Sequence, residues 1–205
     1  MIKRLTADNL QPKTGNLTPT DTMKVKTNII GLLLTLLILF TGENIFAQER
    51  GNEEHRVSPN ATVSQTIGTT VVTVTYGRPS VRDREIFGEL EPYGVVWRAG
   101  ANEATTFTFS DDVLIEGQEL ESGTYSFFVL PRENDEWTII FNSVASQWGS
   151  YNYEDSEDVL RVDVSPVNDV PMEQLMYYFE DVSENSAEAV MHWSTVKVAF
   201  TVEAS

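Results

Sequence analysis

Four arginines, Arg78, Arg82, Arg84 and Arg98, fall between Tyr76 and Thr106 of a chain whose 14 Lys and Arg are outnumbered by 31 Asp and Glu. Gly77, Pro79, Gly88, Pro92, Gly94 and Gly100 break this stretch into turns. The guanidiniums are therefore presented from loops rather than from a regular element, as binding residues often are. Trp97, Arg98, Asn102 and Glu103 surround Gly100. A guanidinium, an amide and a carboxylate on one tight turn suit a polar ligand: the arginine takes a carboxylate or phosphate in a two-pronged fork and the amide fixes its orientation. Arg78 offers a second fork. The same residues also suit an internal network in which Arg98 pairs with Glu103, Asn102 takes the left-handed turn geometry and Trp97 belongs to the core.

Trp148, Tyr151 and Tyr153 crowd the segment SQWGSYNYED. Flat aromatic faces on an irregular segment suit the apolar face of a sugar ring, and left exposed they form a contact surface; folded inward, they close one end of the fold. The candidate ligand-binding set is Arg78, Arg98, Asn102, Glu103, Trp148 and Tyr151. No catalytic residue is assigned. His55 lies in a charged segment, and His192 has no recognisable nucleophile turn to serve. Two separated histidines and no cysteine argue against zinc, and the acidic pairs such as Asp111-Asp112 lack the spacing of a calcium loop. No metal or cofactor is expected.

Strands must position these residues. Val72, Val74 and Tyr76 alternate with threonines, as do Phe107 and Phe109, which is the period of half-buried β-structure. Further strands are expected over Val113 to Glu116, Thr124 to Leu130, Trp137 to Asn142, Val159 to Val164, Leu175 to Val182, Ala187 to Trp193 and Val196 to Val202. In the last two, Ala189, Met191 and Trp193 share one face and Val196, Val198, Phe200 and Val202 the next. A Ser194-Thr195 turn would join them as a hairpin. Helical character is confined to possible single turns at Ser143 to Trp148 and Pro171 to Gln174. About ten short strands predict an all-β, two-sheet antiparallel sandwich, jelly-roll-like or immunoglobulin-like, over residues 61–205, with no repeat and no second domain.

Ahead of that domain, Lys24 and Lys26 precede the apolar run Ile29 to Phe40, and a polar-to-small segment follows to Ala47. These are the three regions of a signal peptide over residues 23–47, with cleavage expected after Ala47 and a periplasmic or secreted product with no stable membrane span. The run is shorter than the roughly 20 residues a bilayer-spanning helix needs. Residues 1–22 read as untranslated or unstructured, since Met23 stands directly before the lysines. Residues 48–60 read as a charged, flexible leader. Removing residues 1–47 takes the net charge from −17 to −19, so nucleic acid is a poor partner. With no cysteine, stability rests on the core.

Tyr76-Gly-Arg-Pro, Arg84-Glu-Ile-Phe-Gly, Pro92-Tyr-Gly-Val-Val-Trp-Arg-Ala-Gly-Ala-Asn-Glu-Ala-Thr, Ile115-Glu-Gly and Gly123-Thr-Tyr-Ser form a long motif string. With Gln147-Trp-Gly-Ser-Tyr-Asn-Tyr, it resembles an uncharacterised exported bacterial domain, domain-of-unknown-function family twenty-nine eleven, over nearly all of Ala61 to Glu203. The resemblance implies no assigned activity and supplies no catalytic residue. From the residues, the expectation is a non-catalytic module that binds a polar or anionic ligand such as a glycan or envelope fragment. The alternatives are an envelope structural or protein-interaction module and, more distantly, a hydrolase using His192 or a carboxylate pair. Oligomeric state is open.

Overall fold

The computed structural model describes Arg50 and residues 55–205; residues 23–47, read as a signal peptide, residues 1–22 and most of the segment read as a leader before His55 lie outside the described residues. β1 (Asn60–Ile67) and β2 (Thr70–Gly77) pair along their whole length, turning at Gly68 with φ +59°. β3 (Thr105–Phe109) follows a long connection, and then come β4 (Val113–Ile115), β5 (Gln118–Leu120), β6 (Gly123–Leu130) and β7 (Trp137–Asn142). A single 3₁₀ turn at Asp155–Glu157 precedes β8 (Asp158–Val164), β9 (Val167–Glu180) and β10 (Ser186–Ala204). The strands form a six-stranded sheet, β1-β2-β3-β6-β7-β8, and a four-stranded sheet, β5-β4-β10-β9. All pairings between these strands are antiparallel. The architecture is the expected all-β sandwich.

Alternation dictates what fills the space between the sheets. Val72, Val74 and Tyr76 of β2, Phe107 and Phe109 of β3, Phe127 of β6 and Phe141 of β7 all point into one buried cluster with Phe200 of β10. Phe107 meets Phe127 at 4.7 Å between ring centroids and Phe200 at 5.7 Å, so rings from both sheets interlock. Each such ring removed from water contributes about 1.5–3 kcal/mol. β7 is buried at every position because the sheet's outer face is also covered there: Ala104, Phe128 and Ile140 form a second cluster against Val96, Leu130 and Tyr153.

Three local expectations are corrected. Pro171 to Gln174 is not a helical turn but part of β9, and Ser143 to Trp148 is irregular. The terminal hairpin does not exist either: β10 is one 19-residue strand. Its positions in the cluster between the sheets switch from odd (Ala189, Met191, Trp193) to even (Val198, Phe200, Val202) around Ser194. Ser194 has φ +55°, and the register against β9 shifts on both sides of it. An irregularity of this kind changes which face a strand presents without turning the chain back. The parity switch read in the sequence was real, but its cause is a bulge rather than a turn.

Candidate ligand-binding site

The connection from β2 to β3, residues 78–104, carries the arginines. It contains no regular strand, yet it is pinned throughout. Arg78 N donates to Pro59 O at 2.9 Å, Trp97 and Val129 exchange backbone hydrogen bonds at 2.8 and 2.9 Å, and Thr105 N reaches Arg98 O at 3.2 Å. Two glycines make this closeness possible. A Cβ on Gly77 would lie 2.2 Å from Ala101 O, and one on Gly100 would lie 2.6 Å from Thr105 Oγ1, so neither position admits a side chain. Ala99 and Asn102 sit in the left-handed region at φ +51° and +65°. The Ala99 carbonyl accepts from Thr105 Oγ1 at 2.9 Å and from Tyr177 Oη at 2.8 Å, which holds the turn in place. As the internal-network reading expects, Asn102 is left-handed and Trp97 is buried in the core.

The other part of that reading fails. Glu103 does not pair with Arg98; it is gripped by Arg56, whose Nη1 and Nη2 donate to Oε2 and Oε1 at 2.6 and 2.9 Å. Arg56 belongs to the segment read as a leader, and so does Arg50. Arg50 is 8% exposed, and its Nη2 donates to the carbonyls of Thr75, at 2.9 Å, and of Ala104. Burial alone would push the Glu103 carboxyl up, but the Arg56 hydrogen bonds and the nearby charges of Arg56 and Arg50 hold it below its usual range. Burial likewise brings Arg50 down to about 10 against the opposing pull of Glu103. Asn102 Nδ2 donates to Ser58 O at 3.1 Å, and Arg78 Nε to Leu175 O at 3.1 Å. Arg78, Asn102 and Glu103 thus each have an intramolecular partner.

Arg98 is different. Its Nε is buried without a hydrogen-bond partner among the described residues. The side chain lines a recess of about 210 Å³, together with Arg82, Arg84, Glu91, Leu90 and Trp193. Arg82 is placed by a left-handed backbone, φ +52°, and by its N–H donating to Glu173 Oε1 at 3.1 Å. Arg84 is held by Nε to Val81 O at 2.9 Å and Nη2 to Ser80 O at 2.6 Å. The indole of Trp193 stacks on Trp97 at 5.6 Å, and its Nε1 is also buried and unpartnered among the described residues. Three guanidiniums and two orphaned N–H donors in one region favour an acceptor-rich anion, because buried donors without acceptors are costly.

Glu91 is the one acid among the recess residues. Burial pushes its carboxyl up to about 7, and the charges of Arg98 and Arg84 only partly oppose the rise. A carboxyl raised in the folded state contributes stability below the unfolded value of about 4.5 and loses it as pH rises through about 7. Glu91→Gln is therefore expected to flatten the fall in stability across that window and to be more stable than wild type at pH 8. Allowing for partial solvent access, the gain is about 2 kcal/mol. Urea unfolding at pH 5 and pH 8 checks it, and equal pH dependence in both proteins would show that the carboxyl is not held neutral.

The aromatic segment divides. Tyr153 turns inward onto Phe128 at 5.0 Å, and its Oη donates to Asp158 Oδ2 at 2.5 Å. Burial and that carboxylate push the phenol up to about 12, so it stays a donor. Trp148 and Tyr151 remain outside, 54% and 81% exposed. The Trp148 backbone bridges to Glu103, and Gly149 N donates to Asn102 O at 3.0 Å, so the segment is tied to the arginine-bearing turn. His192 is buried with Nε2 3.0 Å from Val170 O, away from any nucleophile partner shown among the described residues. Of the candidate set, Arg98, Trp148 and Tyr151 have groups left to offer, while Arg78, Asn102 and Glu103 brace the turn. In the sequence Glu91 is one of 31 acids and Arg56 lies in an aperiodic charged segment, so neither stands out.

A search of curated proteins and one of solved structures return no match. The family comparison does: a model described as protein of unknown function (DUF2911) matches residues 58–202, from beside the Arg56 anchor to the end of the core positions of β10, and the chain belongs to that family.

Proposed function

We propose that the domain is a binding module for a small anionic ligand, seated in the recess between Arg82, Arg84 and Arg98. The observation that carries this reading is the buried Nε of Arg98, without a partner among the described residues, beside two further guanidiniums in a chain of net charge −17. In so acidic a chain, three arginines around one recess, with Glu91 as the acid among its described lining residues, are a specific local exception. Charge-assisted hydrogen bonds from such a cluster contribute about 1.5–3 kcal/mol each.

Thermal unfolding with added small carboxylates and phosphates tests the proposal. A ligand at one hundred times its dissociation constant adds about 2.7 kcal/mol to the folded state. Arg98→Ala is expected to fold and to weaken binding by about 10- to 100-fold. Arg78→Ala, which loses the bond to Leu175 O, is expected to lower the unfolding midpoint while leaving affinity intact. Unchanged affinity in a folded Arg98→Ala protein would remove the proposal.

A second reading, docking of a protein partner, draws on one observation. The first half of β9 lies at the edge of its sheet with Val167 and Val170 more than half exposed.

A further inference from the structure

We infer that the ligand is an acidic sugar, a pyranose bearing one carboxylate, with the carboxylate on Arg98 and the ring laid against Tyr151. This rests on the anion-binding reading and names the ligand class for that same site. The juxtaposition is marked by Gly149. A Cβ there would lie 3.2 Å from Cδ2 and Cε2 of Tyr151 and 3.3 Å from Arg98 Nη1. Ring and guanidinium therefore flank the same bare backbone position, and with φ +66° it is one that favours glycine.

Exposure makes the ring available. Tyr151 is 81% exposed and Trp148 54%, whereas Trp97, Trp137 and Trp193 are all buried. The aromatic segment is not loose. Ala104 N donates to Gln147 O at 3.0 Å and Gly149 N to Asn102 O at 3.0 Å, so the aromatic and the guanidinium are carried by two backbone stretches bonded to each other. Fixing both groups before binding reduces the ordering cost that a ligand must overcome.

Charge narrows the class further. An ordinary polyanion is repelled by a chain of net charge −17, which favours a ligand with a single carboxylate and an otherwise neutral body. Arg98 supplies a planar fork for that carboxylate. On the recess side, Glu91 lies close enough to Arg98 and Arg84 to feel their charges, and as a lining residue it offers a carboxyl oxygen to a sugar hydroxyl. An aromatic face for a ring, a fork for a carboxylate and an acceptor for a hydroxyl are together the three features of a sugar acid.

The test is calorimetric titration of the full chain with glucuronate, glucose, acetate and inorganic phosphate. Glucuronate is expected to bind at least about tenfold tighter than glucose or acetate, a gap of about 1.4 kcal/mol. Tyr151→Ala should weaken glucuronate by about tenfold and leave acetate unchanged, and Tyr151→Phe should restore it. Arg98→Ala should weaken both acids. Glucuronate binding no tighter than acetate, or indifferent to Tyr151→Ala, overturns the sugar inference while the anion site stands. Phosphate binding tighter than glucuronate overturns it in favour of a phosphorylated ligand. No binding of any anion overturns the anion-site reading itself.

Discussion

Insertion of one alanine between Lys197 and Val198 is expected to abolish cooperative folding. β10 reaches the core with odd residues before Ser194 and with even ones after it, and Val198, Phe200 and Val202 are each at most 1% exposed. The pairing of Val196 with Asn168 and of Lys197 with Val167 fixes the phase after the bulge, so one extra residue beyond it turns all three outward, because side-chain direction in a strand has period two. At about 1.5–3 kcal/mol for each buried side chain, the loss is about 5 kcal/mol or more, comparable with the entire stability of a typical domain. It also breaks the pairing of Val202 with Ile115 that joins β10 to β4. Ser194→Gly is the control. It keeps the residue count and relieves a left-handed position that costs an ordinary residue about 1 kcal/mol, so it should be neutral or stabilising. Circular dichroism and urea unfolding read both variants. An insertion variant that unfolds cooperatively near the wild-type midpoint would mean that β10 absorbs the extra residue and that the phase of these three side chains does not hold the fold.

The second large effect is expected from Glu103→Ala. Glu103 is 5% exposed and is the charge that faces both Arg56 and the buried Arg50. Without it, the Arg50 guanidinium is left in the interior with carbonyl partners but no counter-charge. Removing one side of a buried charge arrangement costs about 3 kcal/mol. The pH dependence has a definite sign. The folded carboxyl is held below its ordinary value, so its contribution is present above about 4.5 and lost as pH falls through the folded value. Glu103→Gln should fall between the two proteins, since the amide oxygen still accepts from Arg56 but carries no charge. Urea unfolding at pH 7 and pH 3.5 tests this: the variants should differ from wild type chiefly at pH 7. A Glu103→Ala midpoint equal to wild type at pH 7 would show that the arginines are satisfied without it. Weakened ligand binding in the same variant is a further consequence, since Glu103 and Asn102 brace the turn that carries Arg98.

Much of the fold was legible in the chain. Alternation at Val72, Val74 and Tyr76 and at Phe107 and Phe109 marks strands because burial on one face imposes period two, and these residues are all in the core. The same signal failed over the first half of β9. There Val167 to Glu173 is mostly exposed, so no alternation is imposed and Pro171 reads as a break. At Ser194 the signal was present but ambiguous, because a bulge and a turn produce the same change of parity in a one-dimensional pattern.

At the candidate site the division is sharper. By itself the sequence determined the all-β sandwich, the concentration of arginines in a turn-rich connection and the acidity against which they stand out, since composition and period are properties of neighbouring residues. Which of those groups remains free was decided only by the tertiary structure. Glu103 finds Arg56 across a sequence separation of 47 residues, and Arg78 finds Leu175 O across 97, so both are consumed by long-range closure of the chain. Arg98 is left with an Nε that has no partner among the described residues, beside a glutamate that nothing in the sequence distinguishes from the other acids. Pairing depends on distances through space, and these exist only once the two sheets have packed.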